Sequence, residues 1–201
     1  NRAAQTRYSP GSTIKPLIAH ALLASGKVRA DDVVHCRGGM AIGRKTRGCP
    51  RAHGPVRLRD ALRFSCNVYF HTMGMRVGGD YVRLWVKTVF RDAADSQPGE
   101  LSLAGSNVMN RAGRHWTAIE NWLLCIGQGA TETTIAQLAS YAGALATGFV
   151  FRPYILVDRP PEDGGTREPY THAACRLNIA PSDRDVVLQG MVDVVHGRPA
   201  T

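Results

Sequence analysis

No stretch of this 201-residue chain approaches the ~18 consecutive apolar residues that a membrane-spanning helix requires, so no part of it is expected to cross a bilayer. It opens at Asn1 without a methionine, a basic n-region or an apolar h-region, and any targeting segment is therefore expected to lie outside it. Aromatic residues make up only 7% of the chain, and none occurs between Lys27 and Arg63. That matters because the same stretch holds much of the net charge of +9: Lys27, Arg29, Arg37, Arg44, Lys45, Arg47, Arg51, Arg57, Arg59 and Arg63 face only Asp31, Asp32 and Asp60. A nucleic-acid surface would interleave such cations with rings on which bases stack, so no nucleic-acid partner is expected. Attraction to anionic phospholipid or cell-wall polymer, and a merely solvated basic surface, both remain open. Lysine itself is scarce, occurring only at Lys15, Lys27, Lys45 and Lys87.

What is present is ordinary for a soluble globular protein: 44% hydrophobic and 20% charged residues. At this length a domain buries roughly 70% of its unfolded surface, and one domain with a real core is the expectation. There is no internal repeat. The cysteine count is odd (Cys36, Cys49, Cys66, Cys125, Cys175), so at least one is unpaired within the chain. Cys36 and Cys49 bracket a Gly- and Arg-rich segment that has little apolar material to order it. They are expected to lie close together. A disulfide, free thiols, and a zinc site completed by His53 with His35 as candidate fourth ligand are three open readings.

The apolar pattern predicts a buried helix from about Ser12 or Thr13 to Ser25, stopped by Gly26, with Pro16 tolerated in its first turn. Val28 to Pro55 reads as an irregular excursion with room for a short hairpin. Helices follow at Val56–Phe64, Val68–Val77 and Asp80–Val89, the last with Tyr81, Leu84, Trp85 and Thr88 on one side. Arg91–Trp116 reads as a surface connection, Thr134–Thr147 as an Ala-rich helix closed by Gly148, and Phe149–Val157 as a short strand broken at Pro153. Pro160–Thr171 is expected to be a polar loop and Asp183–Val195 the final helix.

Ser12-Thr13-Ile14-Lys15 places a hydroxyl and an amine three residues apart, which on a helix stacks them at about 5–6 Å between Cβ atoms. A serine becomes a nucleophile when its proton has somewhere to go, and a lysine accepts it once burial lowers its pKa. A helix N-terminus adds N–H groups suited to an oxyanion. By itself the tetrapeptide is common, and an N-cap serine with a solvated lysine is its ordinary reading.

The longer context is not common. The segment Asn1 to Pro16, with Tyr8-Ser9-Pro10-Gly11-Ser12-Thr13-Ile14-Lys15-Pro16, resembles the opening of the active-site helix of high-molecular-weight penicillin-binding proteins. Leu62–Gly74, containing Ser65-Cys66-Asn67, resembles their Ser-x-Asn motif, and Ile126-Gly127-Gln128-Gly129 resembles their glycine-rich connection. The agreement runs from Asn1 to about Val157, and the type most closely resembled is the class B, elongation-associated penicillin-binding protein 2. The resemblance implies an α/β (α+β) transpeptidase fold related to the serine β-lactamases, and D,D-transpeptidase activity through an acyl-serine. Ser12 would be the nucleophile and Lys15 its base; Ser65 would relay a proton between Lys15 and the leaving amine, and Asn67 would hydrogen-bond Lys15 and the substrate's peptide backbone. Gly127, Gln128 and Gly129 would line the substrate cleft. No cofactor is implied. The implied partners are peptidoglycan stem peptides, β-lactam antibiotics and a membrane glycan polymerase, at the outer face of the bacterial cytoplasmic membrane. A non-catalytic sensor or scaffold, and a β-lactamase or D,D-carboxypeptidase, are the rival readings. His20 and His53 carry no catalytic expectation.

The third family motif, Lys-Thr-Gly on a strand, does not occur, since Lys45-Thr46-Arg47-Gly48 is interrupted and too early. Residues 1–201 are accordingly expected to form the mainly helical part of such a domain, with most of the sheet missing, and to be a poor transpeptidase alone.

Overall fold

Pro16 sets where the chain first becomes properly helical. In the computed structural model, which describes residues 2–90, 117–151 and 173–197, a single turn α1 (Arg2–Gln5) is followed by a 3₁₀ turn at Gly11–Ile14. Helix α2 (Lys15–Ala24) starts only there, with Pro16 in its first turn, where a missing N–H costs nothing. The expected start at Ser12 is thus displaced by one 3₁₀ turn, and Ser12 sits on that turn. Ile14, Leu17, Ile18 and Leu22 are fully buried, and α2 is the central rod against which α4, α5 and α8 pack.

Val28–Pro55 is more regular than its composition suggests. Strands β2 (Gly39–Ile42) and β3 (Lys45–Gly48) form the hairpin, turning at Gly43, whose φ of +62° suits a two-residue turn. Around its base a second antiparallel pair, β1 (Val34–Cys36) with β4 (Gly54–Val56), was not anticipated; it aligns Cys36 with Gly54 and turns Val34 and Val56 into the core.

Helix α3 (Leu58–Arg63) ends in the sharp junction Phe64–Cys66, and α4 (Asn67–Val77) begins at once. Helix α5 (Gly79–Phe90) buries Val82, Val86 and Val89, whereas Tyr81, Leu84 and Thr88 are exposed, so of the side formed by Tyr81, Leu84, Trp85 and Thr88 only Trp85 packs against the core. The β-branched valines won the interior, an outcome that ring size alone does not forecast. Helix α6 (Ala118–Cys125) escaped the apolar reading because it is short, yet Thr117 and Glu120 make the reciprocal cap that marks a helix start. Helix α7 (Ile135–Thr147) carries the same device at Thr134 and Gln137 and is closed by Gly148 at φ +83°, as expected.

Strands β5 (Phe149–Phe151) and β6 (Ala173–Arg176) pair antiparallel, and α8 (Pro181–His196) packs along α3, where Asp193 takes a two-pronged hydrogen bond from Arg59 at 2.5 and 2.8 Å. Among the described residues the architecture is mostly helical with three two-stranded sheets. The connection expected at Arg91–Trp116, the loop at Pro160–Thr171 and the strand beyond Phe151 lie outside the described residues.

Candidate active site

Lys15 is the clearest anomaly of the interior. It is 1% exposed on the first turn of α2, and its Nζ donates three hydrogen bonds: to the Ser65 carbonyl oxygen at 2.7 Å, to Ser65 Oγ at 2.8 Å and to Asn67 Oδ1 at 2.6 Å. An ammonium has three protons, so its bonding is complete. The Phe70 ring lies 5.6 Å away on the helix behind it. Burial lowers the Lys15 pKa to about 8, and the charges of Cys49 and Cys66 oppose that shift.

Ser65 reaches Lys15 twice because of its backbone. Its φ of +50° is the one positive value at a non-glycine residue among those described, and it lets carbonyl and side chain converge on the same amine. Such strain persists only where surroundings impose it. Here they do: Ser65 N–H bonds to Leu62 O at 3.0 Å and Cys66 N–H to Ala61 O at 2.8 Å, tying the junction to α3. Ser65 Oγ in turn donates to Ser12 Oγ at 3.0 Å. The route from lysine to the exposed Ser12 therefore runs through Ser65. Asn67 is braced from the other side, its Nδ2 donating to Gly48 O at 3.0 Å. The four residues read from sequence are thus brought together from the 3₁₀ turn, α2 and the α3–α4 junction, with the hairpin bracing Asn67.

The glycine-rich connection does something different from what the sequence suggests. Gly127 is buried behind the serine turn, its carbonyl accepting from Gly11 N–H at 2.8 Å, while Gln128 and Gly129 are exposed beside it. Alongside Ser12, Lys15 and Ser65 runs a groove of about 540 Å³ whose far wall is apolar, built from Leu138, Tyr141 and Leu145 of α7 and Met191 and Val194 of α8. His20 is buried, shares a proton with Tyr141 Oη at 3.2 Å, and is held neutral by burial and by the charge of Arg184, with its pKa near 4; its place is structural.

One feature of the site was only half read from sequence. Cys36, Cys49, His53 and Cys66 converge so that their ligand atoms all lie within 4.8 Å of one another. The Sγ atoms of Cys36 and Cys49 are 3.8 Å apart, those of Cys49 and Cys66 also 3.8 Å, and Cys36 Sγ is 3.6 Å from His53 Nδ1. All are free thiols, and 3.8 Å is far beyond the ~2.05 Å of a disulfide. A tetrahedral zinc ion with Zn–S of ~2.3 Å and Zn–N of ~2.0–2.1 Å has S···S edges of about 3.8 Å and S···N edges of about 3.6 Å. The fourth group of the cluster is Cys66 and not His35, which is exposed on β1. The signal was in the spacing Cys36-x₁₂-Cys49-x₃-His53-x₁₂-Cys66, obscured because Cys66 is the middle residue of the Ser-x-Asn motif. The sulfurs also accept backbone bonds, Cys49 from Asn67 N–H at 3.2 Å and Cys66 from Tyr69 N–H at 3.5 Å, as metal thiolates commonly do. His53 is steadied by stacking on Phe64, with centroids 5.4 Å apart.

Comparison with known proteins agrees with this geometry. The family model for the penicillin binding protein transpeptidase domain matches residues 1–200. Peptidoglycan D,D-transpeptidase PbpA of Mycobacterium tuberculosis is 30% identical over 163 residues, covering 78% of this chain and 32% of the relative. Peptidoglycan D,D-transpeptidase MrdA of Acinetobacter baumannii is 30% identical over 166 residues, covering 78% of this chain and 25% of the relative. The chain thus spans a third or less of the length of these curated relatives. The crystal structure of Pseudomonas aeruginosa PBP2 in complex with WCK 5153 superposes with a TM-score of 0.82 at 26% identity, over 98% of this chain and 46% of that one. Sequence, fold and the arrangement around Lys15 lead to one conclusion: the chain belongs to the penicillin-binding protein transpeptidase family, and its relatives are of the penicillin-binding protein 2 type.

Proposed function

We propose that the protein is a peptidoglycan D,D-transpeptidase that is acylated on Ser12 by D-alanyl-D-alanine stem peptides, and by β-lactams that imitate them. The observation that carries this reading is the hydrogen-bonded line from Lys15 through Ser65 to Ser12. With Lys15 neutral, the Ser12 proton passes to Ser65 Oγ as the Ser65 proton passes to Lys15 Nζ, and Ser12 Oγ attacks the carbonyl. Running the same line backwards delivers a proton to the leaving amine, and an amine from a neighbouring stem then takes the acyl group. Asn67 keeps Lys15 aimed at Ser65. The groove beside Ser12 gives the stem an apolar wall, and Gln128 and Gly129 are exposed next to Gly127, which is bonded to the serine turn. By the same reading the enzyme works on the outer face of the cytoplasmic membrane beside a glycan polymerase.

The test uses the protein as its gene encodes it, because residues 1–201 contain no Lys-Thr-Gly sequence. Incubation with benzylpenicillin should add one penicilloyl mass, mapped by peptide mass spectrometry to the segment bearing Ser12, and release it over hours. Release within seconds would instead identify a β-lactamase, and no adduct would sink the acylation reading.

The pH dependence follows from Lys15. Its ammonium form cannot accept a proton, so the second-order acylation rate should rise about tenfold per pH unit below about 8 and level off above it. A rate that is flat between pH 6 and 9 would remove Lys15 from the role of base.

A further inference from the structure

We propose that the cavity where the end of α7, the β5–β6 pair and the start of α8 meet binds a small oxyanion of the phosphate class, gripped by Arg176 and Arg184, and that this ion ties α7 to α8 behind the groove. The cavity holds about 140 Å³, well below the roughly 300–1,000 Å³ of sites for drug-sized ligands, and it suits a single tetrahedral ion. Two arginines line it, one at the end of β6 and one near the start of α8, and no carboxylate does. Among the described residues neither guanidinium makes an ion pair or a side-chain hydrogen bond, and Arg184 Nε is buried without a partner. Asp183 and Asp185 flank Arg184 in sequence, but neighbours one apart on a helix do not face each other, and neither acid pairs with it. Arg184 is half-buried. A cation in that position without a counter-charge is unfavourable, and an anion relieves it.

Local structure explains why the two arginines meet. Gly148 closes α7 without a side chain, and a Cβ there would come within 2.9 Å of Arg184 Nη1, so the guanidinium lies against the space that the glycine leaves. The chain then enters β5, where Phe149 stands opposite Arg176, and Leu177 N–H bonds to Gly148 O at 2.9 Å. Arg176 is thereby fixed beside the same glycine. Helix α8 begins at Pro181 with no side-chain cap at Ala180, so the positive end of a 16-residue dipole adds to the two charges. The carbonyl end of α7 accounts for one cation at this spot, but not for a second or for the open volume beside them. The charge of Arg184 also reaches the buried His20, which it helps to hold neutral. A guanidinium presents a planar fork of donors that matches two phosphate oxygens, and such charge-assisted bonds are the strong ones. An ion held by Arg184 of α8 and by Arg176, on the strand paired to the continuation of α7, links the two helices that supply Leu138, Tyr141 and Met191 to the groove wall. Free inorganic phosphate and the phosphomonoester headgroup of a lipid share this chemistry.

The site stands apart from acylation at Ser12, and its test reads binding without any penicillin. The protein as encoded, in a phosphate-free buffer, is titrated by calorimetry with inorganic phosphate and, separately, with dihexanoyl phosphatidic acid, with dihexanoyl phosphatidylcholine as the control headgroup. The expected result is saturable binding at a single site, weakened about tenfold or more in Arg176→Gln and in Arg184→Gln, as the loss of a charged hydrogen bond implies. Binding should be unchanged in Arg44→Gln, which removes an exposed cation from the tip of the basic hairpin. Arg176 is exposed, so Arg176→Gln keeps the test decisive even where Arg184→Gln fails to fold. Amide exchange in the last turn of α7 and the first turn of α8 should slow when the ion binds. Phosphate bound with phosphatidic acid excluded assigns the free ion, and phosphatidic acid bound at least as tightly assigns the headgroup. No binding of either probe, binding that survives Arg176→Gln, an equal loss in Arg44→Gln, or binding without slower exchange at these two helix ends would each overturn the proposal.

Discussion

Lys15→Met is expected to slow penicillin acylation of Ser12 by about 10²–10⁴-fold, the usual effect of removing a general base, while leaving the protein as stable as before or more so. The two halves of that expectation come from the same burial. Lysine at this position is 1% exposed, and its pKa falls from 10.5 to about 8, which corresponds to a cost of about 3 kcal/mol for keeping it charged. Because the folded value lies below the unfolded one, that penalty is complete below about pH 8 and fades as pH rises toward 10.5. Methionine has nearly the same length and flexibility, fills the space over Phe70, and needs no partner. Against this stand the lost bonds to Ser65 and Asn67, of which the Ser65 hydroxyl is exposed and can turn to water. Thermal unfolding near pH 7 should therefore show an unchanged or higher midpoint. A midpoint lowered by many degrees would mean that the lysine is a structural tie more than a reactive group.

How far the sequence foretold this site depends on what each residue answers to. Ser12 and Lys15 were legible because their spacing has a physical meaning on any helical turn, and the resemblance of the surrounding segments supplied Ser65 and Asn67. The resemblance also implied a proton relay through Ser65, but the backbone geometry that sets its hydroxyl between Lys15 and Ser12 was not legible. Ser65 stands between Lys15 and Ser12 only because its backbone adopts a φ of +50°, a conformation that no pattern of neighbours announces. The β1–β4 pair was hidden for a related reason: its strands are three residues long, contain Gly54 and Pro55, and are held by two core valines and the Cys36–His53 backbone bond rather than by β-propensity. The sequence groups Tyr81, Leu84, Trp85 and Thr88 on one side of α5 but does not tell which side faces inward: of these only Trp85 packs against the core, and the smaller valines fit the space beside α2. Helical segments with long periodic patterns, such as Thr134–Thr147, fell where their caps put them.

Gly127 offers the second large effect, and it separates two roles that sequence resemblance ran together. As one of the three residues, with Gln128 and Gly129, of the expected substrate-lining connection it should tolerate alanine with a modest loss of substrate affinity. Its surroundings say otherwise. At φ +66° a side chain is strained from the start, and a Cβ here would overlap the Gly11 carbonyl oxygen and press within 2.8 Å of Ile14 Cγ2. Gly11 is backbone in the turn that carries Ser12 and its N–H is bonded to the Gly127 carbonyl, so it cannot yield without moving the nucleophile. Ile14 is fully buried on the same turn. Strain of about 1–3 kcal/mol for the backbone and a similar amount for overpacking make Gly127→Ala a substitution of about 2–6 kcal/mol in stability. Because the whole displacement falls on the serine turn, the acylation rate of the fraction still folded should drop by about 100-fold, comparable with a misplacement of about 1 Å in an aligned site. Gly129, also at positive φ, meets only the flexible side chain of Leu123, and Gly129→Ala should lose little more than the backbone strain. Urea unfolding together with penicillin labelling of both variants gives the comparison. If Gly127→Ala unfolds like the parent and is weakened only in its affinity for stem-peptide analogues, Gly127 belongs to the substrate cleft, and the serine turn is positioned by something else.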